Sequence, residues 1–219
     1  VATGDVTVVY GSQGGFDPSV DLSAITGQTG FTIPAPNESA EFGYVLAAAN
    51  DLIGDDTDAL LIGARFAGTV SVVLAGDTDI SFTVTGLPAA ANDMSLAGLG
   101  DLNGDGFGDF AIGSPDAEFG EGAVYVIYGN ADLGGSITEI DATLLDGNNG
   151  FVINGFGQND LAGTSIAGGF DFDGDGTNDL LIGAPLIGTL DRGRLHLRSG
   201  RLLQKLFSDK PEIGSDGAA

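Results

Sequence analysis

Apolar residues in this chain come in short runs of four to eight, rich in β-branched and aromatic side chains and bounded by Gly, Asn, Asp or Pro. Such runs predict strands. No segment sustains an apolar period of 3.6 residues, so no long helix is expected. The runs repeat in kind. Gly43-Tyr-Val-Leu-Ala-Ala, Asp93-Met-Ser-Leu-Ala-Gly and Gly163-Thr-Ser-Ile-Ala-Gly form one type. Each is followed by an acidic loop and then by an apolar triplet, Leu60-Leu-Ile, Phe110-Ala-Ile or Leu180-Leu-Ile. A third type reads Gly68-Thr-Val-Ser-Val-Val-Leu, Gly122-Ala-Val-Tyr-Val-Ile-Tyr and Gly193-Arg-Leu-His-Leu-Arg-Ser, and Gly4-Asp-Val-Thr-Val-Val-Tyr matches it. The fourth comprises Gly30-Phe-Thr-Ile, Ile80-Ser-Phe-Thr-Val, Gly150-Phe-Val-Ile and Arg201-Leu-Leu-Gln-Lys-Leu.

The order predicts two strands and then three sets of four. Four short strands repeated at intervals of about 40–50 residues or more are the mark of β-propeller blades. A β-sandwich also uses short alternating strands, but it does not place the same loop at the same point of every unit. The expected fold is therefore all-β, with antiparallel four-stranded blades, about three and a half of them. The expected division is a half blade over 1–36, a blade with a degenerate loop over 37–87, blades with acidic loops over 88–157 and 158–208, and a flexible tail over 209–219.

The best-preserved loops are Asp101-Leu-Asn-Gly-Asp-Gly-Phe-Gly-Asp109 and Asp171-Phe-Asp-Gly-Asp-Gly-Thr-Asn-Asp179. In the first, Asp101, Asn103, Asp105 and Asp109 place side-chain oxygens at positions 1, 3, 5 and 9, and Phe107 offers its carbonyl at position 7. In the second the set is Asp171, Asp173, Asp175, Thr177 and Asp179. Oxygen donors alone suit Ca²⁺, which takes 6–8 of them; zinc prefers His or Cys. Two Ca²⁺ sites are expected, with the four-carboxylate loop at 171–179 the tighter. An EF-hand shares the first nine positions but needs a bidentate Glu at position 12 between helices, where this chain has Ile112 and Ile182. The copy at 51–59 has Ile53 at position 3 and Ala59 at position 9, and reads as a calcium-independent turn; a shifted register using Asp58 is the alternative.

Composition sharpens this picture. Of 219 residues 38 are Gly; Lys and Arg total 7 against 31 Asp and Glu, a net charge of −24, and only six of the acids are Glu. Asp and Gly without Glu point to turns rather than helices, and the clustering of the acids argues against a general acidic bias. That charge disfavours nucleic acid and anionic membrane surfaces, and no apolar run approaches the ~18 residues of a membrane span. With no Cys, disulfides, thiolate metal sites and a cysteine nucleophile are excluded. The lone His196 lies in an alternating strand pattern, and neither a Gly-x-Ser-x-Gly elbow nor a phosphate loop is present. Six of the seven basic residues fall between Arg192 and Lys210, as a solvated face or a contact with an acidic neighbour. Asn37-Glu38-Ser39 fits a glycosylation sequon. The long connections at 12–29 and 130–149 are candidate ligand loops.

The pattern Asp-x-Asn/Asp-x-Asp-Gly-x-x-Asp-Leu/Phe-x-Ile-Gly-Ala/Ser-Pro followed by Gly-x-Val-Tyr-Val resembles the FG-GAP repeat of integrin α chains. Related repeats occur in glycosylphosphatidylinositol-specific phospholipase D and in bacterial secreted or surface proteins. Phe-Gly stands at Phe42-Gly43, and Gly-Ala-Pro is intact at 183–185. The resemblance implies a partial seven-bladed propeller, with the family's calcium positions falling on the two residue sets above. It implies an extracellular or cell-surface module of adhesion or protein/glycan binding, without catalysis or membrane insertion. An accessory part of a secreted, phospholipase D-like hydrolase is the alternative. Seven blades need about twice this length, and Val1 is not Met, so the remaining blades are expected from a longer chain or another copy.

Overall fold

A computed structural model describes residues 4–36, 41–88, 93–155, 157–186 and 194–199. It is all-β. Strands β1 (Asp5–Val9) and β2 (Gly30–Pro34) form a half blade. Blade 2 is the antiparallel meander β3 (Phe42–Asn50), β4 (Asp58–Ala64), β5 (Thr69–Leu74) and β6 (Phe82–Thr85). Blade 3 contains β7 (Ser95–Gly100), β8 (Asp109–Ser114), β9 (Ala123–Ile127) and β11 (Gly150–Asn154), with β10 (Glu139–Asp141) between the last two in sequence. Blade 4 contains β12 (Ser165–Phe170), β13 (Asp179–Ala184) and β14 (Arg194–Ser199). The expected strand at 201–206, the tail, and the sequon residues 37–39 lie outside the described residues.

One element departs from the four-strand expectation. β10 leaves its own blade and pairs parallel with β6, so blade 2 carries five strands in the order β10-β6-β5-β4-β3.

The apolar triplets of β4 and β8 are continuous because both faces of these second strands are covered. On β4, Ala59 and Leu61 join Phe110, Ile112 and Ile127 of blade 3 in one buried cluster. The alternate residue Ile62, with Ala64, packs with Val6 and Ile33 of the half blade. On β8, Ala111 turns the other way, to Leu180 and Ile182 of blade 4. The sheets of blades 2 and 3 thus each bury one face against the preceding blade and one against the next. A sandwich has a single core between two sheets; three serial cores are the packing of a propeller. The first strands β3, β7 and β12 lie side by side, and their small residues permit it. A Cβ on Gly98 would come 2.5 Å from the Ala48 carbonyl oxygen.

Bulges end two of these first strands. β7 shifts register between Gly98 and Gly100, and β12 between Gly168 and Phe170, immediately before Asp101 and Asp171. β3 runs into its loop without one, and Asn50 pairs directly with Asp58. A bulge re-aims the chain that follows it, so the two well-preserved acidic loops start from a geometry the degenerate loop lacks.

Candidate metal centres

Each acidic loop joins the first and second strand of a blade, and its first Asp organises it. The Asp101 carboxylate accepts from the backbone N–H of Gly104 (2.6 Å), Asp105 (3.1 Å) and Gly106 (2.9 Å). Asp171 accepts in the same way from Gly174 (2.7 Å), Asp175 (3.1 Å) and Gly176 (2.8 Å). Gly104 and Gly174 have φ near +80°, at +80° and +78°, the left-handed conformation that lets the chain fold back over position 1. Both loops are therefore shaped by their own hydrogen bonds.

The ninth residue comes from the first position of the second strand and is buried. Asp109 is 0% exposed; its Oδ2 accepts from Leu102 N (2.8 Å) and its Oδ1 from Gly129 N (3.0 Å). Asp179 is likewise 0% exposed, and its Oδ2 accepts from Phe172 N at 2.7 Å. Its Oδ1 is buried with no hydrogen-bond partner among the described residues. Oxygens of Asp171, Asp173 and Asp179 all lie within 4.8 Å of one another, so three of the five residues expected at that site converge. Asp175 accepts instead from Thr177, through both its backbone N–H (2.9 Å) and its hydroxyl.

Loop 101–109 offers fewer convergent carboxylates. Asn103 holds Asp105, its Oδ1 accepting from Asp105 N (2.9 Å) and its amide donating to Asp105 Oδ2 (2.8 Å). Asp105 also accepts from Phe107 N at 2.9 Å. The Phe107 ring lies against Gly54 of the neighbouring loop, where an added Cβ would meet it at 2.8 Å.

Three of the four acids in the loop at 51–59 are held by hydrogen bonds of their own. Asp51 accepts from Asp56 N (2.8 Å), Asp55 from Thr57 N (3.0 Å) and Thr57 Oγ1 (2.6 Å), and Asp58 from the Asn50 amide (2.7 Å). Position 9 is Ala59, buried in the core between blades 2 and 3.

Burial is the main force pushing the Asp109 carboxyl up to about 7; the Leu102 and Gly129 N–H groups oppose it, and Asp105 and Asp101 add to it. An acid raised above its unfolded value of about 3.9 stabilises the fold fully below that value, and the contribution is lost as pH rises through the folded value. The metal-free protein should therefore lose stability between about pH 4 and pH 7. Melting in chelator across that range checks it, and Asp109→Asn should flatten the slope.

The residues that sequence reasoning missed are backbone partners and seams. Gly129 N reaches Asp109 from twenty residues away, and its only signal is the Tyr128-Gly129 pair that closes β9, matched by Tyr10-Gly11 after β1. Gly108 N donates to the Asp51 carbonyl at 2.8 Å, tying one acidic loop to the next.

Comparison with known proteins follows these same segments. The FG-GAP repeat model matches residues 94–127 and 162–195. The chain is 36% identical over 160 residues to integrin alpha-5 of Xenopus laevis, covering 65% of this chain and 14% of that protein. It is 30% identical over 174 residues to integrin alpha-PS2 of Drosophila melanogaster, covering 70% and 12%. It is also 37% identical over 130 residues to phosphatidylinositol-glycan-specific phospholipase D of Mus musculus, covering 54% and 15%. The chain thus spans only 12% to 15% of the length of these curated relatives. Among the described residues no helix is long and apolar enough to cross a membrane.

Proposed function

Because residues 94–127 and 162–195 are FG-GAP repeats, we propose that this chain is a calcium-stapled, non-catalytic propeller module of an extracellular or cell-surface protein. Its work is adhesion or the binding of a protein or glycan. The observation that carries the calcium reading is the convergence of Asp171, Asp173 and Asp179, with a buried Asp179 oxygen left without a described partner. A desolvated carboxylate oxygen is costly unless something positive compensates it, and an all-oxygen set favours a hard cation. Asp101, Asn103, Asp105, Phe107 and Asp109 would hold a second ion. The preformed loop at 171–179 brings three carboxylates close, and the ion would neutralise their charge and lock the first strand of the blade to the second. The likeness to integrin α chains supports the surface and adhesion reading. The likeness to a phospholipase D over 130 residues favours one other reading, an accessory propeller of a secreted hydrolase.

Calorimetric titration of the metal-stripped chain tests the staple. Two calcium sites are expected. Asp175→Ala should remove one and Asp105→Ala the other, while Asp55→Ala should remove neither. Absence of binding heat at millimolar calcium would reduce the loops to turns.

A further inference from the structure

The connection at 12–29 has a counterpart elsewhere in the molecule whose role is visible. Residues 20–33 align without a gap with 140–153: Val20-Asp-Leu-Ser-Ala-Ile25 with Ile140-Asp-Ala-Thr-Leu-Leu145, and Gly30-Phe31 with Gly150-Phe151. The conformations agree too. Each segment makes one 3-10 turn, Leu22–Ala24 or Ala142–Leu144, capped by the preceding Asp. Asp21 accepts from Ser23 N (2.9 Å) and Oγ (2.7 Å), and Asp141 from Thr143 N (2.9 Å) and Oγ1 (2.6 Å). Tyr10 lies 6.0 Å from Phe31, as Tyr128 lies 5.9 Å from Phe151.

Only the surroundings differ. In blade 3 the arm crosses to the preceding blade, where Glu139–Asp141 pair in parallel with Thr83–Thr85. Thr83 N donates to the Thr138 carbonyl at 3.1 Å, and Thr85 Oγ1 donates to Glu139 Oε1 at 3.1 Å. A Cβ added at Gly86 would run into the Asp141 carboxylate. Ala142 is buried there, together with Ile127 of β9. In the half blade the matching residues face solvent: Val9 is 38% exposed, Val20 46% and Leu22 59%.

From this we infer that Ser19–Asp21, with Val9, Val20 and Leu22, is a preformed socket for the outer strand of a further FG-GAP blade. That blade lies before the half blade in the ring. The reading rests on the chain being an arc of such a propeller. The incoming strand adds in parallel, with Val20 opposite the position that Val84 holds in blade 2. It alternates Thr with apolar residues and ends in Gly, as Phe82-Thr-Val-Thr-Gly86 does, and it is free of acids, because Asp21 lies within the socket and Asp17 beside it. Among the described residues a second copy of this chain offers poorer edges. The outer edges of β2 and β11 are unpaired among the described residues, but the place from which an arm would reach them is filled by that copy's own next blade.

The test extends the whole chain in its own register. Gly4-Asp5 aligns with Gly122-Ala123, so a second copy of residues 41–121 joined ahead of residue 4 supplies a preceding blade and completes the half blade. Run in millimolar calcium and read by amide exchange at residues 19–25, the result does not depend on whether calcium binds. Exchange there is expected to slow by about tenfold or more. Ser19→Cys with Thr83→Cys in the added copy is expected to form a disulfide, unambiguous because the chain has no other Cys. Unchanged exchange at 19–25 beside a protected added blade overturns the inference. On the unextended chain, Val20→Asp with Leu22→Asp is expected to leave the melting temperature unchanged, whereas Ala142→Asp lowers it. A fall with the first pair would mean that the arm already packs within the chain, and would overturn the inference whether or not the extended chain folds. A solution mass of two copies that Val20→Asp returns to one would also overturn it, by placing a second copy in the socket.

Discussion

Chelating calcium is expected to lower the melting temperature of this protein by about 10–20 °C relative to about 10 mM calcium. Extracellular calcium modules bind at about 10⁻⁴–10⁻³ M, so that concentration can exceed the dissociation constant about a hundredfold. Each site then contributes about 2.7 kcal/mol, because the ion binds the native loop and not the unfolded chain. Two sites give about 5 kcal/mol, and a domain of this size moves by about 2–4 °C per kcal/mol. The electrostatics point the same way: Asp171, Asp173 and Asp179 sit within one ion's reach in a chain of net charge −24. Asp179→Ala should abolish most of the response assigned to blade 4 while leaving that of blade 3. Equal melting temperatures in chelator and in calcium would refute the staple, whatever the loops look like.

Much of this architecture is written locally. Alternation marks the strands, and the triplets that are apolar at every position report sheets covered on both sides. Leu60, Leu61 and Ile62 divide between two cores, with Leu61 facing blade 3 and Leu60 and Ile62 facing the half blade. The acidic loops were legible because oxygen spacing is a property of nine consecutive residues. What escaped was set by distant neighbours. Glu139-Ile-Asp141 has neither the length nor the alternation of a strand, and it becomes one only because the β6 edge lies beside it. Phe107 was read for its carbonyl, yet its ring covers Gly54. The bulges at Gly98–Gly100 and Gly168–Phe170 leave no mark beyond glycines in a glycine-rich chain.

Gly108→Ala should cost about 3 kcal/mol, a fall of roughly 6–12 °C in melting temperature. Gly108 is not in the left-handed region, so its backbone would accept any residue. The penalty is steric: a Cβ there would run into the carbonyl oxygen of Asn50 on blade 2, while Gly108 N holds the next carbonyl, that of Asp51, at 2.8 Å. Both obstacles are backbone and neither can rotate away, so relief requires the two blades to part along a core that is otherwise closely packed. Gly104→Ala makes the control in the same loop. Its φ of +80° is left-handed, yet an added Cβ meets nothing within 4 Å, so only backbone strain of about 1 kcal/mol is expected. Between blades 3 and 4 the small residue sits on the other side of the seam. There Gly100 leaves room for the Asn178 amide, and the bulge at the end of β7 provides the bend. β3 has no bulge at that point. Adding Asn50→Gly to Gly108→Ala should therefore restore nothing, because it removes a side chain and leaves the obstructing carbonyl in place. Recovery in that double variant would show that side chains, rather than the close approach of two backbones, set the spacing of the blades.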